Sequence, residues 1–475
     1  MPQRTTIISL VCGTALAGLA LGLGFPGIVA GWWYWPLAAF GAAAAFNRRA
    51  RVAGLMTLAL AVGFWRAESY IATRSDLTAL IGQKVTVAGE IVDDPVIDPR
   101  GFTTFKIGDP RINDRPTTGA LQVYMQRVNL HRGWQVSATG KIKPGYGNQP
   151  IELSYPKLTV TSTAQSWLER ARQNFFVGMK TALPEPVASF ALGLLVGIRA
   201  LIPKDMQTQL TAVGLSHLVA VSGYNLTIIV AATARILKRL GRGPTLAASF
   251  WLMGAFLIVT GASASIVRAS LVATLSLIAA FYGRRFQPVT LIAMAAAATA
   301  LFQPNYLTDL GWLLSFLAFF GILVIAPAVS ARLNNPKRLI AQLTIETSAA
   351  QIMTLPLILF IFGNLSPVAP LANLLVLPLV PLAMLVCFIA GLAGIIIPAF
   401  AGWLAWPANL LLTTILKLIA ALAALPGSGA KFVIDLPAML AIYGLILAIL
   451  LVIKRSNRLK GRAEERQSRL EPVDI

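Results

Sequence analysis

The chain has 475 residues, of which 56% are hydrophobic and 12% charged, with a formal net charge of +21 and a mean hydropathy of +0.70. Soluble domains carry about 25% charged residues, so a soluble globular fold is excluded; a polytopic α-helical membrane protein with roughly a dozen spans and re-entrant segments is expected. The basic excess is no evidence for nucleic acid by itself, because Lys and Arg gather in short links such as Arg48-Arg49-Ala50-Arg51, Arg284-Arg285 and Lys337-Arg338, where the positive-inside bias puts them.

The N-terminal transmembrane helices occupy residues 1–66. A first span is expected from Thr6 to Gly24 and a second from Ile28 to Phe46, the latter opened by the aromatic belt Trp32-Trp33-Tyr34-Trp35. A shorter third span from Val52 to Trp65 leaves the N-terminus inside and delivers the chain outside. The apolar start runs through Phe25-Pro26-Gly27 into another apolar stretch, which reads as a retained hairpin and not as a cleaved signal.

Over residues 67–165 the hydropathy collapses and the period becomes two. Strands are expected at Lys84–Val92, Phe102–Ile107, Ala120–Met125, Gln135–Ile142 and Leu158–Val160, with turns at Asp98–Gly101, Gly108-Asp109-Pro110 and Lys143–Gly147. Short strands at this density indicate a small extracytoplasmic OB-like β-barrel. Such barrels bind single strands through basic grooves with stacking aromatics. Arg100, Lys106, Arg127 and Trp134 are the candidates for that role, alongside Phe102, Phe105 and Tyr124; aromatics at strand spacing also fill cores. The basic side chains are offset by Asp93, Asp94, Asp98, Asp109 and Asp114.

Residues 166–186 form an amphipathic surface linker, too polar to span. The transmembrane channel domain follows over 187–453, and a basic cytoplasmic tail over 454–475. Val187–Ile198 is apolar but of re-entrant length. Spans are then expected at Gly214–Leu237, Pro244–Val259, Ala264–Tyr282, Val289–Phe302, Leu310–Val329, Ile340–Phe362, Leu404–Leu425 and Met439–Ile453. Val368–Pro398 is too long for one straight span and contains Pro370, Pro378 and Pro381, which indicates a broken helix plus a crossing. With this count each basic cluster falls on one side, both termini are cytoplasmic and the β domain lies outside the cytoplasmic membrane.

Polar residues recur inside these apolar runs, where each needs a partner or water. The stretch Gly214–Val230 begins as a helix and carries His217, Ser222, Gly223 and Asn225. Arg268 stands about two turns into its span among serines, and Glu346 and Gln351 lie in Ile345–Gln351 near the inner end. Together these seven residues are the candidate translocation path. His217 can equally be an interfacial histidine at a helix end, and Arg268 can snorkel outward. Cys12 and Cys387 lie in apolar runs and read as small hydrophobes, and with only His131 and His217 no His-rich metal cluster can form. No Walker loop, nucleophile elbow or paired Cys motif is present; no catalytic residue, metal or cofactor is expected, and the chain is not read as an enzyme.

The block Gly214-Leu215-Ser216-His217-Leu218 with Ser222-Gly223 resembles the signature of the ComEC-type DNA-uptake (competence) membrane proteins. Phe190–Gly197, Ser265–Ala273, Leu314–Ile322, Ala349–Pro356, Phe362-Gly363 and Pro370–Val380 resemble further blocks of that family in the same order. The resemblance implies a channel that passes one DNA strand inward, with the β domain meeting DNA first. It departs at Asn225, where a second histidine is usual, at Leu313, where a glutamine is usual, and at Phe360-Ile361, where an aromatic-His pair is usual. The family's C-terminal metallo-β-lactamase-like domain is not found, so a nuclease is expected to be a separate polypeptide, and a cytoplasmic motor or DNA-binding protein a further partner. Transport of another anionic or lipid-linked polymer is the alternative that the same features would serve.

Overall fold

The computed structural model describes residues 4–25, 34–47, 50–97, 101–117, 120–128, 130–145, 151–164, 166–198, 201–219, 226, 239, 241–260, 264–282, 287–333 and 339–468. They divide into two units: Met1–Pro203, Leu218–Trp312 and Leu382–Leu412 form one, and Lys204–His217, Leu313–Pro381 and Thr413–Ile475 the other.

The first unit opens with α1 (Arg4–Gly24), α2 (Tyr34–Phe46) and α3 (Arg51–Thr78). Glycines set their packing. A Cβ on Gly18 would strike the Leu60 carbonyl, one on Gly63 the Ala15 carbonyl, and one on Gly41 the backbone of α3, so the helices touch backbone to backbone as small residues permit in apolar surroundings. At 28 residues, α3 is about 42 Å long, well beyond the roughly 30 Å of a hydrocarbon core. The sequence ended this span at Trp65. Glu68, Ser69, Arg74 and Asp76 do end the apolar run, yet they do not oppose helix strongly enough to stop it.

The β region contains β1 (Lys84–Ile91), β2 (Val96–Ile97), β3 (Phe102–Ile112), β4 (Arg115–Pro116), β5 (Ala120–Gln126), β6 (Gln135–Pro144) and β7 (Ile151–Ser162). The five longer strands close a barrel in the order β1-β6-β7-β5-β3 and back to β1. All these pairings are antiparallel except β5 with β7, which is parallel. Inward residues Val85, Val87, Ile91, Phe105, Ile107, Val123, Ala138, Ile142 and Leu153 alternate with exposed ones and fill the interior. The turn expected at Gly108-Asp109-Pro110 is strand instead. The chain reverses at Asn113-Asp114, both at positive φ, the conformation that Asn and Asp tolerate best in a tight hairpin.

Helix α4 (Trp167–Ala182) follows, its first turn closed by Ser166 Oγ accepting from the Glu169 N–H. It crosses the helix containing Gly391 and Gly394 at Gly178, so closely that no Cβ fits at Gly178 or Gly394. Helix α5 (Val187–Val196) is buried along its whole length, which makes it a core helix of the protein.

Helices α6 (Lys204–Ala212), α7 (Arg242–Thr260), α8 (Ala264–Phe281), α9 (Pro288–Phe302), α10 (Leu310–Arg332), α11 (Leu339–Phe362), α12 (Ala369–Ile396), α13 (Trp406–Ala423) and α14 (Leu436–Ser468) complete the described elements. Six described helices are long and apolar enough to cross a membrane: α1, α10, α11, α12, α13 and the first half of α14. The chain is a mostly helical polytopic membrane protein. Among the described residues several further apolar helices are shorter; α9, at 15 residues, is about 22 Å long, and most of the span expected at Gly214–Leu237 lies outside the described residues. Helix α12 is broken as its prolines require, with a 3₁₀ turn at Leu377–Leu379 between two α-helical parts.

Candidate functional site

The polar residues picked from the sequence fall in both units. In the second unit, α6 ends in a turn at Gly214, whose φ of 73° suits glycine; the Leu215 N–H donates back to the Leu210 carbonyl. A single 3₁₀ turn, Ser216–Leu218, follows. The expected helix start at Gly214 is therefore a helix stop, because the left-handed glycine closes α6 in the usual C-terminal manner. His217 is exposed on this turn, with Nδ1 3.2 Å from the Gly214 carbonyl oxygen.

This turn is held by other connecting segments of the same unit. Ser366 Oγ donates to the Ala212 carbonyl at 2.6 Å, and a Cβ on Gly214 would meet the Ala369 methyl at 2.6 Å. Asn364–Leu365 pairs with Ala430–Lys431, and the Phe432 N–H donates to the Gly363 carbonyl. His217 thus stands at the end of the unit where α6 ends, α11 ends, α12 begins and α14 is approached. Ser222, Gly223 and Asn225 lie outside the described residues, as does Arg100 of the β domain.

Leu226 does belong to the described residues, in the first unit. It packs with Met253 of α7 and Ala269 of α8, with Phe250, Phe256 and Ala273 around them. Arg268 is the neighbour of Ala269 in α8 and is 5% exposed. Leu226 and the helix that carries the arginine therefore share one apolar cluster. A guanidinium this deep in an apolar helix is expensive, and such residues face protein or a hydrated cavity.

Glu346 and Gln351 share α11, but five residues on a helix turn the side chains about 140° apart. Glu346 is exposed. Gln351 Oε1 is buried without a hydrogen-bond partner among the described residues, and so is Oδ1 of Asn373 in α12, a residue 7% exposed. Each lacks the roughly 1–3 kcal/mol that satisfying a buried polar group is worth. Asn373 was not singled out from the sequence, although an amide in Pro370–Val380 is as conspicuous as Asn225.

On the barrel, Phe105 and Trp134 turn out to serve the core, Phe105 within it and Trp134 packed against it, with His131 edge-on to Trp134. Lys106 pairs with Asp93 at 3.7 Å, and Arg127 is exposed. Partial burial holds the Asp93 carboxyl above the usual aspartate range, tempered by the Lys106 N–H and ammonium. An ion cluster ties barrel to α4. Arg172, 4% exposed, donates through Nη1 to Asp94 Oδ1 and Glu169 Oε1, both at 2.9 Å, and through Nη2 to Asp94 Oδ2. Arg132 lies 3.8 Å from Glu169, and the guanidinium of Arg172 sits over the Phe176 ring. These carboxylates hold Arg172 above the ordinary arginine range despite its burial. Sequence separation hid the cluster: Asp94 and Arg172 are 78 residues apart.

Among the described residues no group of three or more His, Cys, Asp and Glu could hold a metal. No solved structure matches the chain. ComE operon protein 3 of Bacillus subtilis (strain 168) is 25% identical over 248 residues, covering 52% of this chain and 29% of that protein. This chain thus spans less than a third of the relative's length. The family described as Competence protein matches residues 194–457, a region that includes the Gly214 turn, Leu226, Arg268, Gln351 and Asn373. With more than half of its length matched, the chain belongs to the Competence protein family.

Proposed function

We propose that this protein is a cytoplasmic-membrane channel for uptake of single-stranded DNA during natural transformation. The observation that carries the reading is that Leu226 shares an apolar cluster with Ala269, next to the buried arginine of α8, within the matched region. A buried guanidinium suits a path for phosphates, and the amide oxygens of Gln351 and Asn373, unsatisfied among the described residues, suit a wetted path better than a dry core. His217, Ser222, Gly223, Asn225, Arg268, Glu346 and Gln351 are the proposed path, with Asn373 added to it. In this reading the path conducts the strand, a separate nuclease prepares it, and a cytoplasmic motor or DNA-binding protein pulls it.

The closed order β1-β3-β5-β7-β6, with its parallel β5–β7 pair, supports an OB-type barrel. In this reading the barrel stands outside the cytoplasmic membrane and both termini are inside. The test is deletion of the gene in a transformable host, followed with labelled DNA. Label should still bind the surface but fail to become protected inside the cell. Unchanged internalisation would sink the proposal.

A further inference from the structure

The barrel surface carries an aromatic cluster that sequence spacing does not disclose. Phe102 of β3 and Tyr124 of β5 are diagonal neighbours in the sheet, Thr104 being the residue opposite Tyr124, and their rings stack with centroids 5.0 Å apart. Tyr155 of β7 stands edge-on to both, at 5.7 Å from each. It is 54% exposed, and Lys143 Nζ lies 5.7 Å from the centre of its ring.

Tyr155 reaches this position through a local irregularity. Lys141 pairs with Ser154 and Thr139 with Lys157, so Tyr155 and Pro156 together face the single residue Gly140. That is a β-bulge, which re-aims a side chain. Gly140 accommodates it, since a Cβ there would already be 3.0 Å from Pro156. Tyr155 adopts φ 48°, left-handed backbone that costs a bulky residue of order 1–3 kcal/mol. Tyr155 lies outside the barrel core and stays 54% exposed, so burial returns little of that cost.

From this geometry we infer that Phe102, Tyr124 and Tyr155 form a stacking platform for the bases of single-stranded nucleic acid, with Lys143 taking the adjacent phosphate. The inference rests on the DNA-uptake reading and names the surface that would meet the strand first. Charge favours this occupant: Lys141, Lys143 and Lys157 are exposed on the two strands that form the bulge. Glu152, which accepts from Ser154 Oγ, is the acidic residue facing Lys143 across the sheet and keeps the site weak enough to release a moving strand. Rings and lysines recognise any base and any phosphate, so binding is independent of sequence.

The test uses the full-length chain in nanodiscs with a fluorescent oligothymidine, an abasic oligonucleotide of equal length, and a peptidoglycan oligosaccharide. Tyr155→Gly suits the left-handed backbone and removes the ring without threatening the fold; Tyr155→Phe keeps the ring. Tyr155→Gly and Phe102→Leu should each weaken oligothymidine binding about fivefold or more, leave the abasic strand unaffected, and leave Tyr155→Phe near wild type. Lys143→Ala should flatten the salt dependence by a little under one unit of slope. Equal binding of abasic and oligothymidine strands, variants indistinguishable from wild type, or preference for the oligosaccharide would overturn the platform. If deletion abolishes uptake while Tyr155→Gly binds and transports normally, the platform fails and the channel reading stands. If oligothymidine binding depends on Tyr155 but deletion leaves uptake intact, the reverse holds.

Discussion

Replacing Arg172 by methionine removes the charge that holds the barrel to α4 while keeping much of the side-chain volume. The guanidinium is buried and serves Asp94 twice and Glu169 once. Breaking a buried ion pair from one side costs about 3–5 kcal/mol. Two features reduce that here. The Asp94 side chain is 33% exposed and can rehydrate, and Glu169 retains Arg132 at 3.8 Å. A loss of about 2–3 kcal/mol remains, and the lost contact with the Phe176 ring adds about 0.5–1 kcal/mol. Hydrogen exchange on the full-length chain in nanodiscs should then show residues 92–97 and 166–182 exchanging roughly 60- to 700-fold faster, as a total of about 2.5–4 kcal/mol requires, with α10 and α11 unchanged. Adding Asp94→Asn and Glu169→Gln to Arg172→Met should recover most of the loss, since a neutral site carries no orphaned charge. Exchange within a factor of two of wild type in Arg172→Met alone would refute the reasoning.

Three other outcomes follow from the same structure. Gly394→Leu should destabilise the first unit by about 1–3 kcal/mol or more by thermal unfolding in detergent, because any Cβ at Gly394 meets the Gly178 backbone; Gly402→Leu, with open space around it, should not. Asn373→Leu should raise stability by about 1–3 kcal/mol, since its Oδ1 is buried without a partner among the described residues, yet lower DNA uptake; a variant that lost stability would show the amide to be paired. Asp93 has a folded pKa raised above its ordinary 3.8, so its protonated form favours the fold, and that contribution is lost as pH rises through the raised value. Asp93→Asn should therefore flatten the stability profile just above the ordinary carboxylate range, which a pH series of unfolding midpoints reads directly.

Hydropathy made several of the described apolar helices legible. Ile340–Phe362 and Leu310–Val329 were visible as apolar runs bounded by charge, and Val368–Pro398 declared its break through its prolines. Alternation located the barrel strands, since a half-buried strand must repeat every two residues. What failed was local. Gly108-Asp109-Pro110 carries turn residues yet lies in β3: Gly108 pairs with Glu90 and Ala120, and the register with β1 then jumps to Ala88 opposite Arg111, so Asp109 and Pro110 are taken up as a bulge within the strand. Gly214 reads as the start of a helix from the residues that follow it, yet its positive φ ends one. The candidate site was legible only where polarity stood out against apolar sequence, as at Arg268 and Gln351. The Arg172 cluster and the Tyr155 platform depend on partners brought together by folding and by a bulge, which no spacing rule encodes.

Asn225 and Arg268 belong to the proposed translocation path. The most direct test is uptake of labelled DNA in a deletion strain complemented with Arg268→Ala or Asn225→Leu, each produced at wild-type levels in the membrane. The prediction is that both strains bind DNA at the surface and internalise at least tenfold less than wild type, the loss expected when about 1.4 kcal/mol or more of favourable interaction disappears along the path. Wild-type internalisation in both would contradict the channel and leave the protein a scaffold.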